Sequence, residues 1–99
     1  MALTGEQRRQ LKSLAHHLNP LIQIGQKGVT DALINAVDQA LTDHELIKIR
    51  FMDFKDEKHD LADVIALKTS SDRVGIIGNV LTLFRRSPVE EKRHIVLSR

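Results

Sequence analysis

The first pattern along the chain is a set of apolar residues at helical spacing. Its members are Leu11, Leu14, Ala15 and Leu18. Thr4 and Gln7, just ahead of them, are typical of a capping box, so the pattern predicts an amphipathic helix over residues 5–18 that stops before Pro20. A short apolar run at residues 21–24 then predicts a buried strand, because two glycines break the chain directly after it.

A second helix and a second strand follow these glycines. Thr30 or Asp31 can cap the helix, and the alternation over residues 45–51 predicts a strand with one apolar face. The residues predicted to point inward from the helix are Leu33, Ala36, Val37, Ala40 and Leu41. In the strand, Ile47, Ile49 and Phe51 are predicted to point inward, and Lys48 and Arg50 outward. Strand-helix-strand units are almost always right-handed and parallel, so residues 25–28 join the carboxyl end of a strand to the amino end of a helix.

The pattern after residue 55 predicts a third helix and a hairpin. The helix covers residues 56–69, and its acidic start suits the helix dipole. Its predicted inward residues are Leu61, Val64 and Ile65. Two apolar runs at residues 74–77 and 80–84 flank Gly78-Asn79, a two-residue connection typical of a hairpin. The element order is therefore α-β-α-β-α-β-β, which indicates an α/β fold.

The last residues carry the weakest pattern. Pro88 and the charged residues after it predict a loop, while residues 94–97 either add an edge strand or dock on the sheet. With 99 residues and no long linker, the chain is interpreted as one compact domain over residues 1–99, in which residues 87–99 are a loosely ordered tail or an edge strand.

Charge is divided into three blocks that the net value of +2 conceals. Residues 1–30 hold four Lys/Arg against one Glu, residues 31–72 hold five against ten Asp/Glu, and residues 73–99 hold six against two Glu. The ends are therefore basic and the middle is acidic. If the fold brings the two ends together, a nearly neutral protein can present a basic face to a polyanion.

The candidate binding loop is Gly25-Gln26-Lys27-Gly28. Unpaired backbone N–H groups and the positive end of a helix dipole meet at such a strand-to-helix junction, which suits a phosphate. The glycines allow close approach of a sugar-phosphate chain, and Lys27 supplies a charge. A similar loop clamps the nucleic-acid backbone in KH domains. The bare G-x-x-G pattern is not specific, because residues 75–78 also match it inside an apolar hairpin.

Three groups of cations are predicted to adjoin this loop. The first helix contributes Arg8, Arg9, Lys12 and His16, the second strand Lys48 and Arg50, and the end of the last strand Arg85 and Arg86. The chain has three aromatic residues, and Phe51 and Phe84 are predicted to be buried while Phe54 stands alone. Base stacking is therefore not expected to be the main device. Contacts with phosphates and 2′-hydroxyls of structured RNA fit these residues better.

Little in the sequence indicates a catalytic, metal or cofactor site. The chain has no cysteine, His16 and His17 point about 100° apart on a helix, and no nucleotide-cofactor loop or nucleophile motif occurs. We predict no catalytic residues, no metal and no cofactor. With no apolar run near about 18 residues and no signal peptide, we expect a cytoplasmic protein without membrane contact.

Three segments resemble the CRM domain, named for chloroplast RNA splicing and ribosome maturation, in its stand-alone bacterial YhbY form. They are residues 11–20 (LKSLAHHLNP), 24–30 (IGQKGVT) and 44–50 (HELIKIR). The resemblance implies a mixed four-stranded sheet, similar to the C-terminal domain of the third bacterial translation initiation factor, and RNA binding through the G-x-x-G loop. Gly25 and Gly28 match the family glycines, and Lys27 occupies a variable position. Gln26 departs from the more basic loops of plant relatives.

These observations lead to a functional hypothesis. We expect a non-enzymatic protein that binds ribosomal RNA in precursors of the large ribosomal subunit, since bacterial members of the family are associated with these precursors. Two alternatives remain open at this point. One is an adaptor that contacts ribosomal proteins through the acidic middle block, and the other is a small RNA-processing enzyme that uses Asp/Glu and Mg²⁺.

Overall fold

The computed structural model describes residues 2–98 and contains three helices packed on one four-stranded sheet. The elements are α1 (Gly5–Ala15), β1 (Ile22–Ile24), α2 (Asp31–His44), β2 (Leu46–Phe51), α3 (Lys58–Thr69), β3 (Asp72–Ile77) and β4 (Val80–Phe84). Short 3₁₀ turns cover Lys55–Glu57 and Glu90–Lys92. The strand order is β1-β2-β4-β3, with β1 parallel to β2 and the other neighbours antiparallel. The predicted α/β order and the mixed sheet are confirmed.

Local signals explain how the first helix begins and ends. The Thr4 hydroxyl accepts from the Gln7 N–H, and the Gln7 side chain accepts from the Thr4 N–H, so the capping box is formed. The predicted end at Leu18 is wrong, because the helix stops at Ala15. Leu14 and Leu18 remain 47% and 39% exposed, beside an open groove. The helix ends early because only Leu11 and Ala15 reach the core of the sheet.

One face of the sheet carries the main core, and we call it the α2–α3 face. Its buried strand residues are Ile24, Ile47, Ile49, Phe51, Leu81 and Leu83, which pack against Val37 and Leu41 of α2 and Ala62 and Ile65 of α3. The predicted inward set of β2 is therefore confirmed. Two helix predictions are wrong, because Ala36 and Val64 are exposed. Ala62, on the neighbouring side of α3, fills the core instead.

The opposite face, which we call the α1 face, is covered over only part of its length. Leu11 and Ala15 of α1 pack on Leu46, Val74 and Phe84 near the start of β2. Further along β2, the residues on this face change from buried Leu46 to half-buried Lys48 and then to exposed Arg50. Because a short helix crosses this face at one end, the other half of the α1 face stays open to solvent.

The tail lies against the domain without forming a strand. Residues 93–98 have no strand pairing, and Ile95 and Leu97 pack partly on the Leu46 and Phe84 cluster. The Glu45 carboxylate, which is fully buried, accepts hydrogen bonds from the N–H groups of Ser87, His94 and Ile95. The side chains of Gln7 and Gln10 in α1 also hydrogen-bond to the backbone of Val96 and Ser98, so the tail is held by one buried carboxylate at the end of α2 and by two amides of α1.

Candidate nucleic-acid interface

The residues that join β1 to α2 form a tight, exposed turn, which we call the GxxG turn (residues 25–28). The Gly28 N–H donates to the Gly25 carbonyl at 3.0 Å, and Gln26 and Lys27 occupy the corners. Gly28 has a φ of +70°, a left-handed conformation that costs other residues about 1–2 kcal/mol. An added Cβ at Gly25 would meet nothing within 4 Å. The turn is therefore open to solvent on its Gly25 side.

Backbone donors at this turn are available to an anion. Among residues 2–98, the amides of Gln26 and Lys27 have no hydrogen-bond partner, and neither do those of Asp31 and Ala32 in the first turn of α2. The Asp31 carboxylate already complements the positive end of the helix dipole. Positive charge that could attract an anion at the turn therefore comes mainly from Lys27 and from cations outside the turn.

Two such cations lie on β2 beside the GxxG turn. Arg50 pairs in register with Gln23, two residues before Gly25, and its side chain is exposed. Lys48 precedes Arg50 by two residues and is half-buried, so it lies on the same face about 7 Å away. Both side chains therefore belong to the open half of the α1 face, next to the turn.

The third cation comes from α1. Lys12 lies over Gly75 of β3, where an added Cβ would be 3.1 Å from the Lys12 Cε. Gly75 pairs with Thr82, and Thr82 pairs with Lys48, so Lys12 and Lys48 belong to one row across the sheet. The absence of a side chain at Gly75 lets Lys12 cross β3, a function that the sequence pattern did not show.

Other predicted cations of α1 are spread more widely. Arg9 and His16 are exposed, and helical spacing places them on the same side of α1 as Lys12. Arg8 is half-buried, and its guanidinium donates to the Arg73 carbonyl at 3.3 Å. Because β3 is the edge strand farthest from β1, Arg8 lies across the sheet from the GxxG turn. The predicted continuous basic flank is therefore divided.

The prediction that Arg85 and Arg86 share the surface of the turn is wrong. Both follow β4, whose end pairs with the start of β2, so they lie at the opposite end of the sheet. The Arg85 guanidinium is largely buried and bonds to Asp38, Thr42 and the Thr69 carbonyl on the α2–α3 side. Arg85 thus stabilises the packing of two helices and is not free to meet a ligand.

The basic and acidic blocks of the sequence largely meet each other. Arg73 pairs with Asp63, Arg85 with Asp38, and Lys92 with Asp43. Each pair joins a cation of residues 73–99 to an acid of residues 31–72. The expectation that both basic ends form one face is therefore wrong for the C-terminal block, because its charge is partly neutralised within the fold. The N-terminal block and β2 supply the cations near the turn.

Phe54 also borders the GxxG turn, although the sequence pattern did not predict it to be a site residue. Its ring contacts the turn, with ring carbons 3.3, 3.5 and 3.9 Å from a Cβ added at Gly28. The Met52 and Asp53 amides donate to the Ile24 carbonyl, which brings the end of β2 beside the end of β1. A lone aromatic in the polar segment after β2 was the only signal in the sequence.

Two kinds of feature are absent from the described part of the chain. Within residues 2–98, no three side chains of the His, Cys, Asp or Glu type are grouped closely enough to hold a metal ion. In the same residues, no helix has the length and apolar character needed to cross a membrane.

Comparison with known proteins shows the family to which the chain belongs. The profile of the CRS1 / YhbY (CRM) domain matches residues 3–85. The chain belongs to this CRM family. The match includes the GxxG turn, Lys12 and both cations of β2, so the surface described above lies entirely within the CRM domain.

CRM-family relatives carry names that refer to RNA. A probable RNA-binding protein of Pseudomonas aeruginosa is 36% identical over 100 residues, covering 100% of this chain and 96% of the relative. The probable RNA-binding protein YqeI of Bacillus subtilis is 38% identical over 96 residues, covering 96% of this chain and 98% of the relative. The solution structure of a hypothetical Staphylococcus aureus protein has a TM-score of 0.78 at 35% identity, covering 95% of this chain and 99% of that protein.

Proposed function

We propose that this protein binds RNA with the GxxG turn and with the cations of the open half of the α1 face. The observation that carries the proposal is the placement of the turn beside Arg50 and Lys48 on one open surface, with Lys12 in the same row across the sheet as Lys48. The names of the CRM relatives support RNA as the ligand. Arg9 and His16 extend the same surface along α1, and Arg8 contributes at its far edge.

The binding mode follows from the groups that are present. The amides of Gln26 and Lys27 can donate to a phosphate oxygen, and the missing side chain at Gly25 lets the RNA backbone come close. Lys27, Arg50 and the other cations add phosphate contacts that position RNA without reading its sequence. Such binding selects RNA by shape and weakens steeply with rising salt, because binding releases counterions from the RNA and this release is less favourable at high salt.

We propose ribosomal RNA in precursors of the large subunit as the ligand, and assembly of that subunit as the process. The resemblance to YhbY-type CRM proteins is the basis for this finer statement. It implies a cytoplasmic protein that acts as a binder and not as an enzyme, with ribosomal proteins as neighbours in the assembling particle.

The test is a salt titration of binding to a labelled rRNA hairpin, followed by fluorescence anisotropy. Lys27→Ala and Arg50→Ala should each weaken binding and lower the salt slope by about 1. Gly25→Ala should weaken binding without changing the slope, because it adds bulk and removes no charge. Lys68→Ala, an exposed lysine on α3, is the matched control. Unchanged binding in the three site variants would overturn the proposal.

No specific observation favours the two alternatives. An adaptor would use the acidic middle block, but Asp38, Asp43 and Asp63 are already paired with cations of the same chain. Pull-downs with and without ribonuclease separate an RNA binder from an adaptor, because only the adaptor keeps its protein partners after digestion. Incubation of bound RNA with Mg²⁺ separates a binder from a nuclease, since only the nuclease shortens the RNA.

A further inference from the structure

We propose that Phe54 is a stacking surface for one unpaired base of the bound RNA. This inference rests on the proposed RNA binding and adds a contact of a different chemical kind. The turn and its cations would hold the backbone of the RNA, while the ring of Phe54 would hold a base that leaves the paired region. The ligand is then structured RNA with an unpaired nucleotide at the turn.

The ring of Phe54 borders the GxxG turn. Phe54 is 41% exposed, and its inner edge lies against Gly28 at the contact distances given above. The remainder of the ring faces solvent at the border of the GxxG turn. Ring and turn therefore form one continuous surface, on which a phosphate and the base of an adjacent nucleotide can be bound together.

The backbone of Phe54 has an unusual conformation. Its φ of 58° and ψ of 35° are left-handed, a conformation that bulky residues rarely adopt. Phe54 precedes the 3₁₀ turn and makes no side-chain cap, so an asparagine or glycine would suit this backbone better. An aromatic side chain that is strained and partly exposed gains little from folding, which points to a role in binding.

The charges around the ring decide which part of RNA it can hold. Asp53, Asp56 and Glu57 line the shallow pocket around Phe54, against one cation, Lys55. This excess of carboxylates repels phosphate but not a neutral base. Stacking of a base on an aromatic ring changes affinity by about 5- to 150-fold when the ring is removed. The arrangement therefore favours a base on Phe54 and its phosphate on the turn.

The competing explanation is that the ring only supports the GxxG turn by packing on Gly28. Phe54→Leu separates the two roles, because leucine keeps apolar contact with Gly28 but offers no aromatic face. We expect this variant to retain the wild-type thermal midpoint and to bind a fully paired RNA duplex normally. Its affinity for a hairpin with unpaired bases should fall at least 5-fold. Equal affinity of wild-type and variant protein for that hairpin would overturn the inference.

A direct readout is possible because the chain contains no tryptophan and no tyrosine. Phe54→Trp introduces a single fluorophore at the ring position, and Leu67→Trp places one on α3, where the side chain is 82% exposed. Hairpin RNA with unpaired bases should quench the emission of Phe54→Trp and leave that of Leu67→Trp unchanged. Inorganic polyphosphate, which has no bases, should compete for the site without quenching. Equal quenching in both variants would contradict base stacking.

These measurements keep the two proposals apart. If Lys27→Ala and Arg50→Ala lose affinity for the hairpin while Phe54→Leu binds like wild type, RNA binding stands and base stacking is wrong. If all three variants bind like wild type, the surface itself is not the RNA site and both proposals fall.

Discussion

Replacing Glu45 by alanine should release the C-terminal tail and destabilise the domain. The Glu45 carboxylate is completely buried and accepts hydrogen bonds from the N–H groups of Ser87 at 2.8 Å, His94 at 2.8 Å and Ile95 at 3.2 Å. Hydrogen bonds to a charged group contribute about 1.5–3 kcal/mol each, so their joint loss with the tail held in place would cost about 5 kcal/mol or more.

The tail can detach instead and let water bind its amides, which limits this cost. Detachment exposes the half-buried side chains of Ile95 and Leu97. Loss of their burial costs about 1–1.5 kcal/mol of stability for each side chain. We therefore expect the free energy of unfolding to fall by about 2–4 kcal/mol in Glu45→Ala. Urea unfolding followed by far-ultraviolet circular dichroism measures this value. Glu57→Ala is the control, since Glu57 is exposed and its side chain makes no hydrogen bond within residues 2–98.

Two further readouts test the mechanism of this effect. Trypsin should cleave after Lys92 and Arg93 faster in Glu45→Ala than in the wild type, because the tail is released locally. Burial alone would raise the pKa of Glu45, but the N–H donors of His94, Ser87 and Ile95 favour the charged form, and the pKa lies below its ordinary value of 4.5. Because the pKa of Glu45 is lower in the folded than in the unfolded protein, its charge contributes fully to stability above the unfolded pKa. This contribution is lost as pH falls through the folded pKa.

The difference in stability between wild type and Glu45→Ala should therefore shrink as pH falls below the ordinary glutamate value of 4.5. A loss under about 1 kcal/mol at neutral pH, which is too small for three hydrogen bonds to a buried charge, would refute the reasoning. Unchanged cleavage after Arg93 would refute the claim that Glu45 holds the tail.

Four other substitutions give contrasting results. Gly28→Ala should cost about 1–2 kcal/mol in urea unfolding, because its φ is left-handed and the new Cβ would lie 3.3 Å from Phe54, whereas Gly25→Ala should stay within about 0.5 kcal/mol of the wild type. Gly75→Ala should displace Lys12 and weaken RNA binding with little loss of stability; wild-type affinity would mean that Lys12 does not contact RNA. Arg85→Ala should lower the thermal midpoint by about 10–30 °C, for a loss of about 2–4 kcal/mol, and leave the salt slope of binding unchanged. A lowered salt slope would show that Arg85 contacts RNA and contradict its assignment to helix packing.

The charge pairs show why a block pattern in a sequence is a weak guide to a surface. Arg85 and Asp38 are 47 positions apart and meet because β4 ends beside α2 and α3. Their pairing removes a cation that the sequence placed at the interface. Lys12 and Gly75 show the opposite case, since a glycine without an evident function proves to seat a cation of the proposed site.

The sequence by itself determined the order of elements and the location of the turn. These features depend on neighbours within a few residues: the Thr4 and Gln7 cap, the alternation along β2, and glycines at the left-handed positions 28 and 78. Short-range hydrogen bonds and backbone preferences are encoded locally, so a pattern can predict them. The C-terminal end of α1 and the inward residues of α3 were less predictable, because packing against the sheet decides them.

The tertiary structure alone decided which side chains act together. It placed Phe54 against Gly28, withdrew Arg85 into an ion pair with Asp38, and fastened the tail to Glu45. Each of these contacts joins residues that are distant in sequence, and both Coulomb energy and packing depend on distance in space. Only the folded arrangement of the sheet and its helices sets those distances, which is why the composition of the proposed site could not be read from charge and spacing.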